Sequence, residues 1–328
     1  MILACDVGGT KTQLGIFSAD WGPRRPLFEA TFQNAGYEGF EPIVKEFLAR
    51  VNVPVETACI GVAGPVMNGQ SRVTNLPWVI SEQDIRDRFS FPRVTVINDL
   101  QAVACAISLL KQADLLTLHE GRRVAGGNIA VIAPGTGLGE AFLIWDGTRY
   151  QAHASEGGHA DFAPNNSLEI SMLRVLQEQR GHVSWESVCS GQGIPRIYDF
   201  LRDYDSGMES VRLSDHSNRV DDRTPDIVAA ALDQHRPCER CVRTLDLFSS
   251  MLGAEAGNLA LKVLAAGGVY LAGGMTLRIL PFLQKGFFME AFRRKGRMSD
   301  LVSSMPVYVI LNDTVALIGA AAYGLSFL

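Results

Sequence analysis

Asp6-Val7-Gly8-Gly9-Thr10-Lys11-Thr12 decides how this chain is read. An apolar run, Ile2 to Val7, leads into it, and a second, Gln13 to Ser18, leaves it. The pattern is a strand, a glycine-rich bend and another strand. Glycines let backbone N–H groups approach an anion with no Cβ in the way. Threonine hydroxyls donate to phosphate oxygens. The acid, Asp6, cannot bind phosphate directly but can hold a metal ion or its waters. The bend therefore reads as a phosphate-and-magnesium loop.

A second copy lies about half a chain away. Asn128 to Pro134 is strand-like, Gly135-Thr136-Gly137-Leu138-Gly139 follows, and Glu140 to Asp146 is again strand-like. Two such hairpins suggest two related α/β lobes clamping one polyphosphate. The first half orders as β-β-β-α-β-α-β-α, with strands at 2–7, 13–18, 27–33, 57–63 and 94–97, which implies a sheet covered by helices. The order restarts at Asn128. Residues 204–224 are polar and read as a surface excursion; 238–265 reads as one long buried helix, and 314–325 as a final apolar helix.

Composition narrows the function classes. The chain has 328 residues, 47% hydrophobic and 20% charged, enough for two domains with real cores. A net charge of −5 with no long basic block disfavours nucleic acid. No apolar run approaches the length of a membrane span, and no secretory leader is expected ahead of Asp6. Six scattered cysteines suggest a reduced, cytoplasmic enzyme. Cys238-Glu239-Arg240-Cys241 has no second C-x-x-C to complete a metal site.

Four further stretches carry chemistry. Asn98-Asp99 ends a strand and opens a helix; both are good N-cap residues, and the position is also where open α/β sheets place ligands. In Glu156-Gly157-Gly158-His159-Ala160-Asp161-Phe162-Ala163-Pro164, a glutamate and a histidine around two glycines can face one small ligand. An isolated Glu-x-x-His would as readily be structural or metal-binding. Glu186, in Ser184-Trp185-Glu186-Ser187, reads on composition as an exposed glutamate. Leu271-Ala272-Gly273-Gly274-Met275 is a strand ending in paired glycines, either a tight turn or a close approach to a ribose or flat ring. No Walker motif occurs, and Gly135-x-Gly137-x-Gly139 runs into a strand, which argues against a dinucleotide site.

Taken in order, DVGGT, IND, GTGLG, EGGH-x-DFAP and LAGG resemble the bacterial hexokinase-type glucokinases of the sugar kinase, Hsp70 and actin superfamily. The resemblance spans residues 6 to 274. It implies two ribonuclease-H-like lobes, each with the duplicated β-β-β-α-β-α-β-α core, and an active cleft between them. It also implies a small α/β domain of 1–110 plus 313–328, with the last helix returning to it, and a large α+β domain of 111–312. The implied reaction is ATP-dependent phosphorylation of D-glucose at O6, giving glucose 6-phosphate and ADP.

Carried over by position, Asp99 is the base. Asn98, Asp99, Glu156, His159, Glu186 and Asn75 face the sugar, and Asp161 orients the loop, holding His159. Asp6, Gly8, Gly9, Thr10, Lys11, Gly135, Thr136 and Gly137 surround the phosphates, and Gly273 and Gly274 the adenosine. Asp6 positions Mg²⁺ through water. Lys11 stands where relatives often carry a neutral side chain, and the zinc-binding cysteine cluster of the repressor/ORF/kinase relatives is absent. The implied partners are glucose and ATP, with a homodimer possible. Rival readings are a kinase for another hexose or an N-acetylhexosamine, a sugar-responsive repressor, for which no room is expected ahead of Asp6, and an actin-like ATPase, against which the sugar loop speaks.

Overall fold

A computed structural model describes residues 1–51, 53–204 and 223–328. Most of the polar excursion read at 204–224 lies outside the described residues. The chain divides into two compact units: 1–115 with 141–154 and 312–328, and 116–140 with 155–311.

The first unit is built on a five-stranded sheet: β1 (Ile2–Val7), β2 (Lys11–Phe17), β3 (Phe28–Gln33), β4 (Thr57–Val62) and, after three short strands, β8 (Arg93–Asn98). Its order is β3-β2-β1-β4-β8. β1 runs antiparallel to β2 and parallel to β4, and β4 parallel to β8. The central strands β1 and β4 are apolar on both faces, as parallel strands covered by helices must be. α1 (Phe40–Ala49) buries Phe40, Ile43, Val44 and Phe47, the i, i+3, i+4, i+7 stripe of an amphipathic helix. The short strands β5 (Val66–Met67), β6 (Gln70–Arg72) and β7 (Val79–Ser81) make a small antiparallel sheet that the sequence reading did not anticipate. α2 (Glu82–Phe89) follows, its first turn capped by the Ser81 hydroxyl.

The last helix of the chain, α13 (Val315–Leu325), belongs to this unit. Leu317, Ala320 and Ala321 share a core with Ile2, Ala4, Cys59 and Ala102. Ala102 lies on α3 (Asp99–Ala106). A Cβ on Gly319 would stand 1.7 Å from the Ala102 carbonyl oxygen, so only glycine permits the helix crossing.

The larger sheet has the order β12-β11-β10-β13-β14-β9, with β9 (Leu115–His119), β10 (Ile129–Pro134), β11 (Leu138–Trp145), β12 (Tyr150–Ser155), β13 (Gly268–Leu271) and β14 (Val307–Ile310). Its first five places repeat the order of the first sheet, and β10, β13 and β14 are parallel as β1, β4 and β8 are. Between β12 and β13 come α4 (Ser167–Arg180), α5 (Trp185–Val188), α6 (Gly193–Tyr204), α7 (Thr224–Leu232) and the long α8 (Glu239–Val263). α8 presents Gly253 and Gly257 to a later helix, α11 (Phe287–Arg293). A Cβ at either would fall within 2.5 Å of the Phe288 or Phe292 carbonyl oxygen.

Candidate active site

The first unit gathers its polar residues at the carboxyl ends of its parallel strands. Val7, Val62 and Asn98 lie side by side in register on β1, β4 and β8. Backbone bonds stitch the loops that follow: Ala63 N–H donates to Val7 at 3.0 Å, and Thr74 N–H to Ala63 at 2.8 Å. The Asn98 side-chain amide donates to Gly64 at 3.2 Å. A Cβ on Gly9 would stand 3.5 Å from the Thr74 carbonyl oxygen, so the 73–77 loop lies against the first glycine bend. Asn75 in that loop is exposed and left-handed, φ 63°, a conformation asparagine tolerates better than most residues. Asp6, the glycine bend, Asn75, Asn98 and Asp99 thus occupy one end of one sheet.

Asn98 caps α3: its carboxamide oxygen accepts from Leu100 N–H at 2.9 Å and Gln101 N–H at 3.2 Å. With one N–H already on Gly64, the amide has one N–H left to offer a ligand. Asp99, the first residue of α3, is half-buried, and one of its oxygens accepts from Leu100 N–H at 2.9 Å.

The first bend is closed by Gly8 N–H donating to Lys11 at 3.1 Å, leaving Gly9, Thr10 and Lys11 exposed. Its brace is a residue the sequence reading missed. Asn34, 2% exposed, donates from its side chain to Gly8 at 2.8 Å and accepts from the Thr12 hydroxyl at 2.8 Å. Its backbone N–H also donates to Thr10 at 2.9 Å. Burial pushes the Asp6 carboxyl up to about 6, against the pull of the Lys11 charge. Among the described residues no three His, Cys, Asp or Glu side chains group to hold a metal ion. A single desolvated carboxylate fits a magnesium ion that keeps its waters and is shared with substrate phosphates; it does not fit a structural zinc.

The second unit supplies a second cluster. The Gly135–Gly137 turn closes through Gly135 N–H donating to Gly137 at 2.8 Å, and Gly191 N–H donates to Gly135 at 2.7 Å. Glu186 is tied directly to this hairpin. Its Oε2 accepts from Leu138 N–H at 2.9 Å and stands 2.4 Å from where a Cβ on Gly137 would be. Its other oxygen is 4.0 Å from His159 Nδ1. A Ser184–Ser187 capping box starts α5 and sets the direction of Glu186, while Trp185 is buried edge-on to Phe162. The 156–164 loop lies on the same hairpin: a Cβ on Gly158 would overlap the Leu138 carbonyl oxygen, at 2.1 Å. His159 N–H donates to Glu156 at 3.0 Å, and both side chains are exposed.

One expectation is corrected here. Asp161 does not hold His159. It accepts from His182 Nε2 at 2.8 Å, and its backbone bridges to Ser184. The chain turns after His159, so the acid two residues on pairs with the strand-like segment ahead of α5.

A cavity of about 640 Å³ opens beside the second hairpin. Gly135, Thr136, Gly191 and Gly274 line it, with Arg196, Asp199, Arg223 and Arg278. Gly273, φ 88°, does not line it. A Cβ there would stand 2.7 Å from the Pro134 carbonyl oxygen, so this glycine lets the β13 end lie against β10 and aims Gly274 at the cavity. The arginines were absent from the sequence reading. Arg196 donates to the Ser187 carbonyl at 2.9 Å, and Arg223 to Asp199 at 3.0 Å. Size, glycine backbone and guanidinium lining suit a nucleoside polyphosphate.

A sheet order repeated twice, each copy opening on a glycine hairpin, places the chain in the two-lobed actin-like class to which sugar kinases belong. Residues 3–326 match the family described as Glucokinase, and the chain belongs to that family. It is 41% identical to the glucokinase of Nostoc sp. over 98% of both chains. The crystal structure of a glucokinase from an Antarctic psychrotroph superposes with a TM-score of 0.79 at 32% identity, covering 98% of each chain. A glucokinase from Balamuthia mandrillaris in complex with glucose shares the fold, with a TM-score of 0.81 at 20% identity over 99% of this chain and 93% of that one. The chain is an enzyme that phosphorylates glucose with ATP.

Proposed function

We propose that Asp99 accepts the proton of the glucose 6-hydroxyl as O6 attacks the γ-phosphorus of ATP, yielding glucose 6-phosphate and ADP. What carries this reading is the register that sets Asn98-Asp99 level with the end of β1, where the first glycine bend begins. A hydroxyl is a poor nucleophile, and a carboxylate within hydrogen-bond reach contributes typically ~10²–10⁴-fold.

Glucose is read by the free N–H of Asn98, by Asn75, and by the Glu156, His159 and Glu186 cluster. Paired carboxylate oxygens accept from adjacent equatorial hydroxyls, and imidazole adds one more bond. Anchoring Glu186 on Leu138 N–H couples sugar recognition to the Gly135–Gly137 phosphate hairpin. Gly8, Gly9, Thr10 and Lys11 form one phosphate cradle, and Gly135, Thr136 and Gly137 a second. Gly273 and Gly274 form the adenosine wall, with Arg196 and Arg223 beside it. Asp6 would hold Mg²⁺ through its waters, and the ion would supply neutralisation of phosphate charge. Six free cysteines fit a cytoplasmic site of action.

ADP release measured against a panel of hexoses tests the substrate. Glucose should give the highest kcat/KM. A higher value for mannose, fructose or an N-acetylhexosamine would overturn the assignment of the sugar cluster.

A further inference from the structure

Glu140 sits on β11 directly after the second glycine hairpin and is 1% exposed. Its Oε2 packs against the sugar loop: a Cβ on Gly157 would stand 2.0 Å from it and 3.1 Å from the Ser155 hydroxyl. Its Oε1 is buried with no donor in reach. The group it meets is Glu255 of α8, fully buried, whose carboxyl acts on that of Glu140. Glu255 also accepts from Asn258 at 2.8 Å and Lys262 at 3.4 Å.

Two carboxylates are acceptors only, so a bond between them requires a proton on one. That proton gives the orphaned oxygen a role and removes one of two like charges from a dry site. We propose that Glu140 is a positioning residue for glucose: it shares one proton with Glu255 and in that state packs under Gly157, fixing the loop that carries Glu156 and His159. The proposal rests on the assignment of that loop to glucose.

The charged and titratable groups around the pair are Glu255 and Lys262 on α8, Lys295 after α11, Glu169 on α4, Cys189 after α5, and Glu156 beside Gly157. Lys295 is tied to the Ala254 carbonyl at 2.7 Å and to Asn258 at 2.6 Å, and its burial lowers its pKa to about 8. Burial, reinforced by the Glu255 charge, pushes the Glu140 carboxyl up to about 8. A raised carboxyl is intact below its folded value and loses its proton as the pH climbs through it. Lys295 gives up its charge over the same range, leaving the deprotonated pair less compensated. Both changes act in the same direction.

The test is the pH profile of the glucose KM, with the ATP KM and kcat as controls. Between about pH 7 and about pH 9.5 the wild-type glucose KM should rise ~10-fold while the ATP KM moves little, as expected when a buried pair loses the hydrogen bond that satisfies it. Glu140→Gln keeps the shape and a donor toward Glu255, and it cannot titrate. It should keep the neutral-pH glucose KM within about threefold and flatten the alkaline rise. An alkaline rise that persists in Glu140→Gln overturns the proposal.

Infrared difference spectra of the wild type give a reading that needs no variant. A buried neutral carboxyl band should be present at neutral pH and vanish in alkali; its absence at neutral pH also overturns the proposal. Glu156→Gln, run alongside, separates the two claims. If its glucose KM is unchanged, the loop assignment fails, whatever the carboxyl band shows.

Discussion

Glu156 and His159 are exposed, yet the loop that carries them is fixed from below by Gly157 and Gly158 packing on β11. Losing either side chain therefore should change recognition and leave the fold intact. Glu156→Gln and His159→Ala each leave sugar hydroxyls unpaired, a cost of ~1–3 kcal/mol, so the glucose KM should rise by roughly 10- to 100-fold. Steady-state kinetics with both substrates varied checks this; equal rises in the ATP KM would mean the residues serve the fold. Asp6 adds a pH dependence. Its carboxyl is raised to about 6, so it is anionic above that value and takes up a proton as the pH falls through it. In the protein without ligands, the burial penalty of the charged form is therefore felt above about pH 6 and relieved in acid. The catalytic consequence runs the other way: kcat/KM for MgATP should fall below about pH 6, and added Mg²⁺ should move that limb to lower pH. A flat profile down to about pH 5 would remove Asp6 from the metal's neighbourhood. These residues stood out in the sequence because each stands in a short contiguous string. Asp161 was misread for the same reason: adjacency in sequence suggested His159, and the turn delivered His182.

At the scale of elements, each glycine hairpin depends on a partner that sequence spacing hides. Asn34 reaches Gly8 and Thr12 across 26 and 22 residues, so no local pattern signals it. Asn34→Ala leaves the buried Thr12 hydroxyl and the Gly8 carbonyl without this partner. It should cost ~1–3 kcal/mol in chemical denaturation and raise the ATP KM more than the glucose KM. An unchanged ATP KM would show that the bend holds its shape unaided. Arg196 and Arg223 escaped for a related reason: an arginine on or just before a helix is ordinary until the fold turns it into a cavity. The small sheet at 66–81 escaped because its strands are two or three residues long, below the length at which alternation can be seen. The central strands, by contrast, were placed within a residue or two, since long apolar runs bounded by glycine or polar turns allow little else. The helix pair α3 and α13 gives a stability test. Gly319→Leu would drive a side chain into the Ala102 carbonyl, and overpacking at such a crossing should cost ~1–3 kcal/mol or more, read as a lower Tm. A neutral effect would mean that α13 shifts freely on the first sheet.

For the whole molecule, the duplication visible as two glycine strings is a duplication of sheet order, β3-β2-β1-β4-β8 matched by β12-β11-β10-β13-β14. The sequence announced the two hairpins; that 141–154 belongs with the first unit was not visible in it, because strand composition does not say which neighbours a strand keeps. A ligand that binds only the folded chain stabilises it by mass action, ~2.7 kcal/mol at a hundred times its Kd. Glucose should accordingly raise the Tm. Galactose, whose axial 4-hydroxyl would miss the carboxylates proposed to read an equatorial one, should leave it unchanged; an equal shift with galactose would reopen the sugar assignment. The central claim is that Asp99 is the base. Its most direct test is glucose-dependent ADP release by the wild type and by Asp99→Asn, with glucose binding followed through the Tm shift. The account predicts retained glucose binding and a kcat lower by ~10²-fold or more. A kcat within about tenfold of the wild type would make Asp99 a helix-start residue and place the base elsewhere.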